Sequence, residues 1–182
     1  LSRRAGSAFH SPARTKPVYE VMGRMAYATN TTVPIDKTRA EIESTLRRYG
    51  ADQFSYGTDD SRGLAVVRFR AHDRTVQFVL YLPNRSDFNK TPTGLDRSAA
   101  QSLRLWEQAC RSRWRALLLC IKAKLEAIEA GISEFEDEFL AHIVLPDGRT
   151  ASEWLRPQIA IAYKTRRMPT DLLARPSPQP AD

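Results

Sequence analysis

RSAAQSLRLWEQACRSRWRALLLCIKAKLEAIEA, residues Arg97 to Ala130, carries two interleaved periods. Leu103, Trp106, Cys110, Trp114, Leu117, Ile121, Leu125 and Ile128 recur at steps of three and four. At about 100° per residue they line one stripe of an α-helix. Arg97, Arg104, Arg111, Arg115 and Lys122 fall on a second stripe, roughly 100° around the helix. The spacing predicts a helix that packs a core with one face and projects a row of cations from another. Trp106 and Trp114 share the apolar stripe and are both expected to be buried. A cationic row suits a polyanion partner.

Working outward, residues 1 to 25 mix Arg3, Arg4, Arg14 and Lys16 with Ser, Pro and Gly, without an apolar period. We expect a disordered basic leader that the core does not need, with Met22 and Met25 as natural starts. A first helix is predicted from Thr38 to Tyr49, with Thr38 and Glu41 as a capping box and Gly50 at its end. Its inner side would be Ala40, Leu46 and Tyr49, with Ile42 at the edge, and its cations, Arg39 included, would form a solvated face. Three strands follow at Gln53–Tyr56, Leu64–Arg70 and Thr75–Leu82, with short turns, so an antiparallel meander is expected. Val67, Phe69, Val76, Phe78 and Leu80 alternate onto one face. A polar loop from Pro83 to Leu95 is longer than most connections, as mobile or functional loops are. Asp96 or Ser98 then caps the long helix. Ser133 and Glu136 would cap a short helix, and Thr150 and Glu153 a last one. Pro157 should delay that helix or bend it. Residues 169 to 182 are rich in proline and read as a disordered tail.

The chain has 182 residues, 28 Lys and Arg against 21 Asp and Glu, and a net charge of +7. That length suits one domain, and the charge draws nucleic acid, acidic membrane surfaces or acidic proteins. Cys110 and Cys120 sit ten residues apart on one helix, roughly 15 Å along its axis, beyond disulfide reach. They read as small buried hydrophobes in a reducing, cytoplasmic setting. No apolar run is long enough for a membrane-spanning helix.

No catalytic constellation stands out. His10, His72 and His142 are scattered, and neither cysteine has a ligand neighbour at zinc spacing. His72 falls in a turn, where exposure is expected, and His142 in a helix pattern, where packing or capping is. Thr91-Pro-Thr-Gly94 has one glycine and no Walker lysine. Asp59 and Asp60 are explained by turn chemistry. Glu134, Glu136, Asp137 and Glu138 suit the start of a helix. The remaining constellation is basic and aromatic. Arg68, Arg70 and Arg74 lie on the hairpin with Tyr81, and Tyr56 is expected to join them. Single-strand binders use that mixture, cations following phosphates and rings stacking bases.

Two stretches, RAEIESTLRRYGADQF (Arg39 to Phe54) and IKAKLEAIEAGI with FLAHIVLPDG (Ile121 to Ile132 and Phe139 to Gly148), resemble a recurrent family of bacterial and phage-encoded proteins of uncharacterised activity. The resemblance spans about Met25 to Leu173. It implies a bacterial or mobile-element setting and carries over no catalytic residue. The order helix, β-meander, long helix also resembles the core topology of phage single-strand annealing proteins. That resemblance implies cofactor-free binding of single-stranded DNA and assembly into rings or filaments.

The reading is one α+β domain over residues 26 to 168, its sheet packed on the long helix and two shorter helices following. Its expected function is non-enzymatic nucleic-acid binding, single-stranded DNA foremost, through Arg68, Arg70, Arg74, Tyr81, Arg97, Arg104, Arg111, Arg115 and Lys122. No metal or cofactor is expected. The alternative is a protein-interaction module, such as a phage accessory factor acting on a host protein. Homo-oligomers fit either reading.

Overall fold

A computed structural model of the chain describes residue 28 and residues 30 to 168. The leader and the tail read from the sequence lie outside these residues, as does His10. The order is α1 (Ile35–Arg48), β1 (Gln53–Asp59), β2 (Leu64–Ala71), β3 (Arg74–Tyr81), α2 (Ala99–Glu129), α3 (Phe135–Phe139) and α4 (Ala151–Thr165). The three strands form one antiparallel sheet in sequence order. This is the mixed α+β arrangement of helix, meander, long helix and shorter helices.

Sheet register sorts the side chains. Phe54 pairs with Phe69 and Tyr56 with Val67, while Val76 and Phe78 lie across from Phe69 and Val67. Residues directly opposite share a face. Ala65, Val67, Phe69, Ala71, Val76 and Phe78 are all buried. They meet Ile42 and Leu46 of α1, Trp114, Leu118, Ile121 and Leu125 of α2, and Phe135 and Phe139 of α3. Phe139 sets its ring edge against Phe69 at 5.7 Å and Phe78 at 6.2 Å. The β2–β3 hairpin turns through His72 and Asp73, both at positive φ (50° and 55°). That two-residue geometry matches the twist of the flanking strands.

The helices depart from the pattern in several places. α1 starts at Ile35, and Pro34 stands at its cap without a side-chain bond. Thr38 is not a capping residue. It is buried inside the first turn, its hydroxyl donating to the Pro34 carbonyl at 3.2 Å. Ile42 is fully buried and Ala40 is exposed, the reverse of the expected inner side, because Ile42 shares one stripe with Thr38, Thr45 and Leu46 while Ala40 lies on the opposite side of the helix. On α2 the stripe gains Leu118, while Leu103 and Trp106 are half-buried. Cys110 is buried and its thiol is pushed up to about 11 by that burial, but Cys120 is exposed. Ser98 and Gln101 form the reciprocal cap that starts α2. Thr150 and Glu153 do the same for α4, which begins at Ala151 and runs through Pro157. α3 has no such cap; Glu134, not Ser133, stands at its start.

The loop before α2 is tied down by its neighbours. It makes a 3₁₀ turn at Arg85–Phe88. Trp106 donates its ring N–H to the Pro83 carbonyl at 2.9 Å, and the Ser102 hydroxyl donates to Phe88 at 3.1 Å. The Thr91–Gly94 turn closes on itself, with Gly94 N–H to Thr91 at 2.9 Å and Thr91 N–H to Leu95 at 2.7 Å.

Candidate nucleic-acid interface

The sheet has a second face, which no helix among the described residues covers. Its rows follow from the register: Gln53, Arg70 and Thr75; Ser55, Arg68 and Gln77; Gly57, Val66 and Val79; Asp59, Leu64 and Tyr81. Arg68, Val79 and Tyr81 are exposed there. Arg68 donates to the side-chain carbonyl of Gln77, with Nε at 3.1 Å. Gln77 is buried and neutral, so it fixes the guanidinium without cancelling its charge. Arg70 is different. Its Nε lies 3.0 Å from Asp52, and that carboxyl is held below its ordinary 3.8 chiefly by this hydrogen bond. Tyr81 lies four residues along the sheet from the Arg68 row, about 13 Å at ordinary strand rise. The ring and the cations therefore stand at opposite ends of the face, with Val66 and Val79 between.

Tyr56 does not join this face. It pairs with buried Val67, so it belongs to the inner side, at the sheet's edge. There the Arg39 guanidinium lies between two rings, 4.6 Å from the centre of Tyr56 and 4.6 Å from that of Trp114. Arg39 is mostly buried, 3.5 Å from Asp36, and its Nε is buried without a partner among the described residues. It is a wedge between α1, β1 and α2 and not part of a solvated face.

Arg74 pairs with buried Ala71 and so alternates away from Arg68 and Arg70. It reaches round the end of the sheet, 3.9 Å from Glu136. Arg68 and Arg74 meet again in an open cleft of about 430 Å³, lined also by Asp73, Thr75, Val144, Leu145, Pro146 and Gly148. The cleft exists because Val144 donates to the Thr75 carbonyl at 2.7 Å, laying the 144–150 turn beside β3. His142, just before it, stacks on Phe78 at 4.0 Å. Burial, aided by nearby Lys124, holds its imidazole below the ordinary 6.5.

The cationic stripe of α2 is largely spent inside the fold. Arg115 donates to Glu41 at 2.5 Å and Lys122 to the same carboxylate at 2.6 Å, clamping α2 to α1. The hydrogen bond from Lys122 is the main force holding Glu41 below its ordinary 4.5; burial opposes it and Arg115 reinforces it. Arg111 donates to Gln108 at 2.8 Å and lies 3.7 Å from Glu107. Arg97 donates to the carbonyls of Phe88 and Lys90, bracing the loop. Of the stripe, Arg104 alone has no partner among the described residues. Glu41 lies 74 and 81 residues from its two partners, so no local spacing announces the pairing. Sequence reading also missed Lys164, Arg166 and Arg167 at the end of α4, which are exposed and have no partner among the described residues. Their signal was present as a basic run beside Tyr163.

Among the described residues no three His, Cys, Asp or Glu gather as metal ligands, and no helix is long and apolar enough to cross a membrane. No protein-family model, curated protein or solved structure matches this chain, so the site rests on its own residues.

Proposed function

We propose that the protein binds single-stranded nucleic acid, DNA foremost, on the open face of its sheet, and does so without catalysis. One observation carries the reading. Arg68 is held forward by a neutral partner on an uncovered sheet face and shares a cleft with Arg74. Such a guanidinium can take a phosphate without first breaking an ion pair. Arg70 beside it is paired with Asp52, and Tyr81 offers a stacking surface at the far end. A separation of about 13 Å suits an extended polymer better than a small molecule. Arg97, Arg111, Arg115 and Lys122 serve the scaffold in this reading, and Arg104 is a peripheral contact. Two unpaired thiols accord with a reducing cytoplasm, and phage or mobile-element DNA metabolism is the setting in which such binding would be used.

The test is titration of a labelled single strand at two salt concentrations, with the parent chain and with Arg68→Gln/Arg70→Gln/Tyr81→Ala. Micromolar, salt-sensitive binding that the triple variant loses supports the proposal. Salt-sensitive binding that the variant keeps moves the site elsewhere, and no binding sinks the reading. The competing reading, a protein-interaction module, draws on the apolar exposure of α4. It predicts no binding by either protein.

A further inference from the structure

We infer, resting on the nucleic-acid reading above, that the outward side of α4 is a second contact for the strand, continuing its track from the sheet face onto the last helix. From Trp154 to Met168 the chain has four cations, Arg156, Lys164, Arg166 and Arg167, and no acid. Glu153, the one acid of α4, is taken up by the Thr150 cap. Arg156 donates to the Ser152 hydroxyl at 3.0 Å, a neutral partner that leaves its charge whole, as Gln77 does for Arg68. Lys164, Arg166 and Arg167 have no partner among the described residues. On α2, by contrast, most of the stripe is held by acids or carbonyls of the fold.

Periodicity gathers these groups. At about 100° per residue, Arg156, Ala160, Tyr163 and Lys164 lie within roughly 100° of one another around the helix. All four are exposed, while half-buried Leu155, Gln158 and Ala162 lie on the opposite side. Tyr163 is 84% exposed, and Ala160 next to it is too small to cover the ring. Cations flanking an open ring suit a single strand, whose phosphates meet the charges while a base stacks. An anionic lipid surface would also favour the charge, but a helix lying in lipid buries its apolar side chains on one face. Trp154 and Ile161 are on the side opposite Tyr163, so α4 has no such face. Position links the two contacts. The turn that walls the cleft of Arg68 and Arg74 runs directly into Ala151, where α4 begins. Arg156 follows about 8 Å further along the axis. A strand leaving the cleft over this turn comes onto the outward side of α4.

The test compares labelled single strands of about 6 and about 20 bases, roughly 20 and 70 Å at 3.4 Å per base. The shorter covers the sheet face and the cleft, and the longer reaches α4 as well. Three proteins are titrated across several salt concentrations: the parent, Arg156→Gln/Tyr163→Ala/Lys164→Gln, and Tyr163→Trp. The parent should bind the longer strand with a salt slope steeper by about 1.4, two phosphates at 0.7 each. The triple variant should lose that increment and roughly tenfold in affinity for the longer strand. It should bind the shorter strand as the parent does, which also shows that it is folded. Tyr163→Trp keeps a ring and should bind both strands as the parent does. A triple variant that matches the parent on both strands overturns the inference and leaves the sheet-face reading standing. A triple variant weakened equally on both overturns it too, since α4 is then no second contact. A parent that binds neither strand defeats both readings, and its recovery on phosphatidylserine vesicles would give α4 to lipid instead.

Discussion

Trp106 and Trp114 sit two turns apart on one helix and do different work. Trp114 is 1% exposed, with the Arg39 guanidinium over its ring, so Trp114→Ala should cost about 3–5 kcal/mol in urea unfolding. Trp106 is half-buried and binds the Pro83 carbonyl. Trp106→Phe keeps most of the packing and should cost about 1 kcal/mol, the worth of one hydrogen bond. Equal losses in the two variants would mean that the loop, not the core, depends on the helix's first half. His142 is the residue whose charge state the fold resists. Its pKa is lowered in the folded chain, so the unfolded chain takes up the proton first. The stability it contributes is full above the ordinary 6.5 and is lost as pH falls from there through the lower folded value. Urea midpoints at pH 7.5 and 5.5 should therefore differ more for the parent than for His142→Phe, which keeps the stack on Phe78.

At the scale of elements, periodicity made the strands and α2 legible because each has one wet side and one dry side. Val67 and Phe69 alternate across the pleat, and Cys110, Trp114, Leu117 and Ile121 step along one stripe. α1 is harder to read because its one dry stripe carries two threonines. Thr38, Ile42, Thr45 and Leu46 recur at steps of four, three and one, so Thr38 looks like a cap in sequence and is core in space. The cationic stripe misled for a related reason. A row of charges on a helix reads alike whether it faces solvent or a carboxylate on another helix. Here Glu41 collects two of its members. Glu41→Gln should destabilise the chain by about 1–2 kcal/mol at neutral pH, since two partly exposed pairs are lost together. The folded carboxyl titrates below 4.5, so its contribution is full above that value and fades as pH falls through the lower folded one. Parent and variant should thus draw together as pH is lowered below 4.5, by urea titration. A gap that does not narrow would locate the effect in packing instead.

At the scale of the whole molecule, a net charge of +7 overstates what is free to meet a polyanion. Counterion release measures the free part directly. For a single strand the slope of log K against log salt is about −0.7 for each phosphate neutralised. If all eight cations read from the sequence, Arg68, Arg70, Arg74, Arg97, Arg104, Arg111, Arg115 and Lys122, met phosphates, the slope would be about −5.6. The structure commits Arg70, Arg97, Arg111, Arg115 and Lys122 to partners within the fold. The sheet face and its cleft retain Arg68 and Arg74, which with unpartnered Arg104 should give a slope of about −2. Arg115→Gln/Lys122→Gln should then leave the slope unchanged while lowering the urea midpoint, because those side chains hold α1 to α2. Arg68→Gln/Arg74→Gln should do the opposite, removing about 1.4 from the slope at little cost in stability. The measurement is the same titration carried across several salt concentrations for all three proteins. A parent slope near −5.6 would show that the α2 stripe leaves Glu41 to bind nucleic acid. A slope of about −2 that neither variant alters would place the phosphates on the remaining free cations, foremost Lys164, Arg166 and Arg167 at the end of α4.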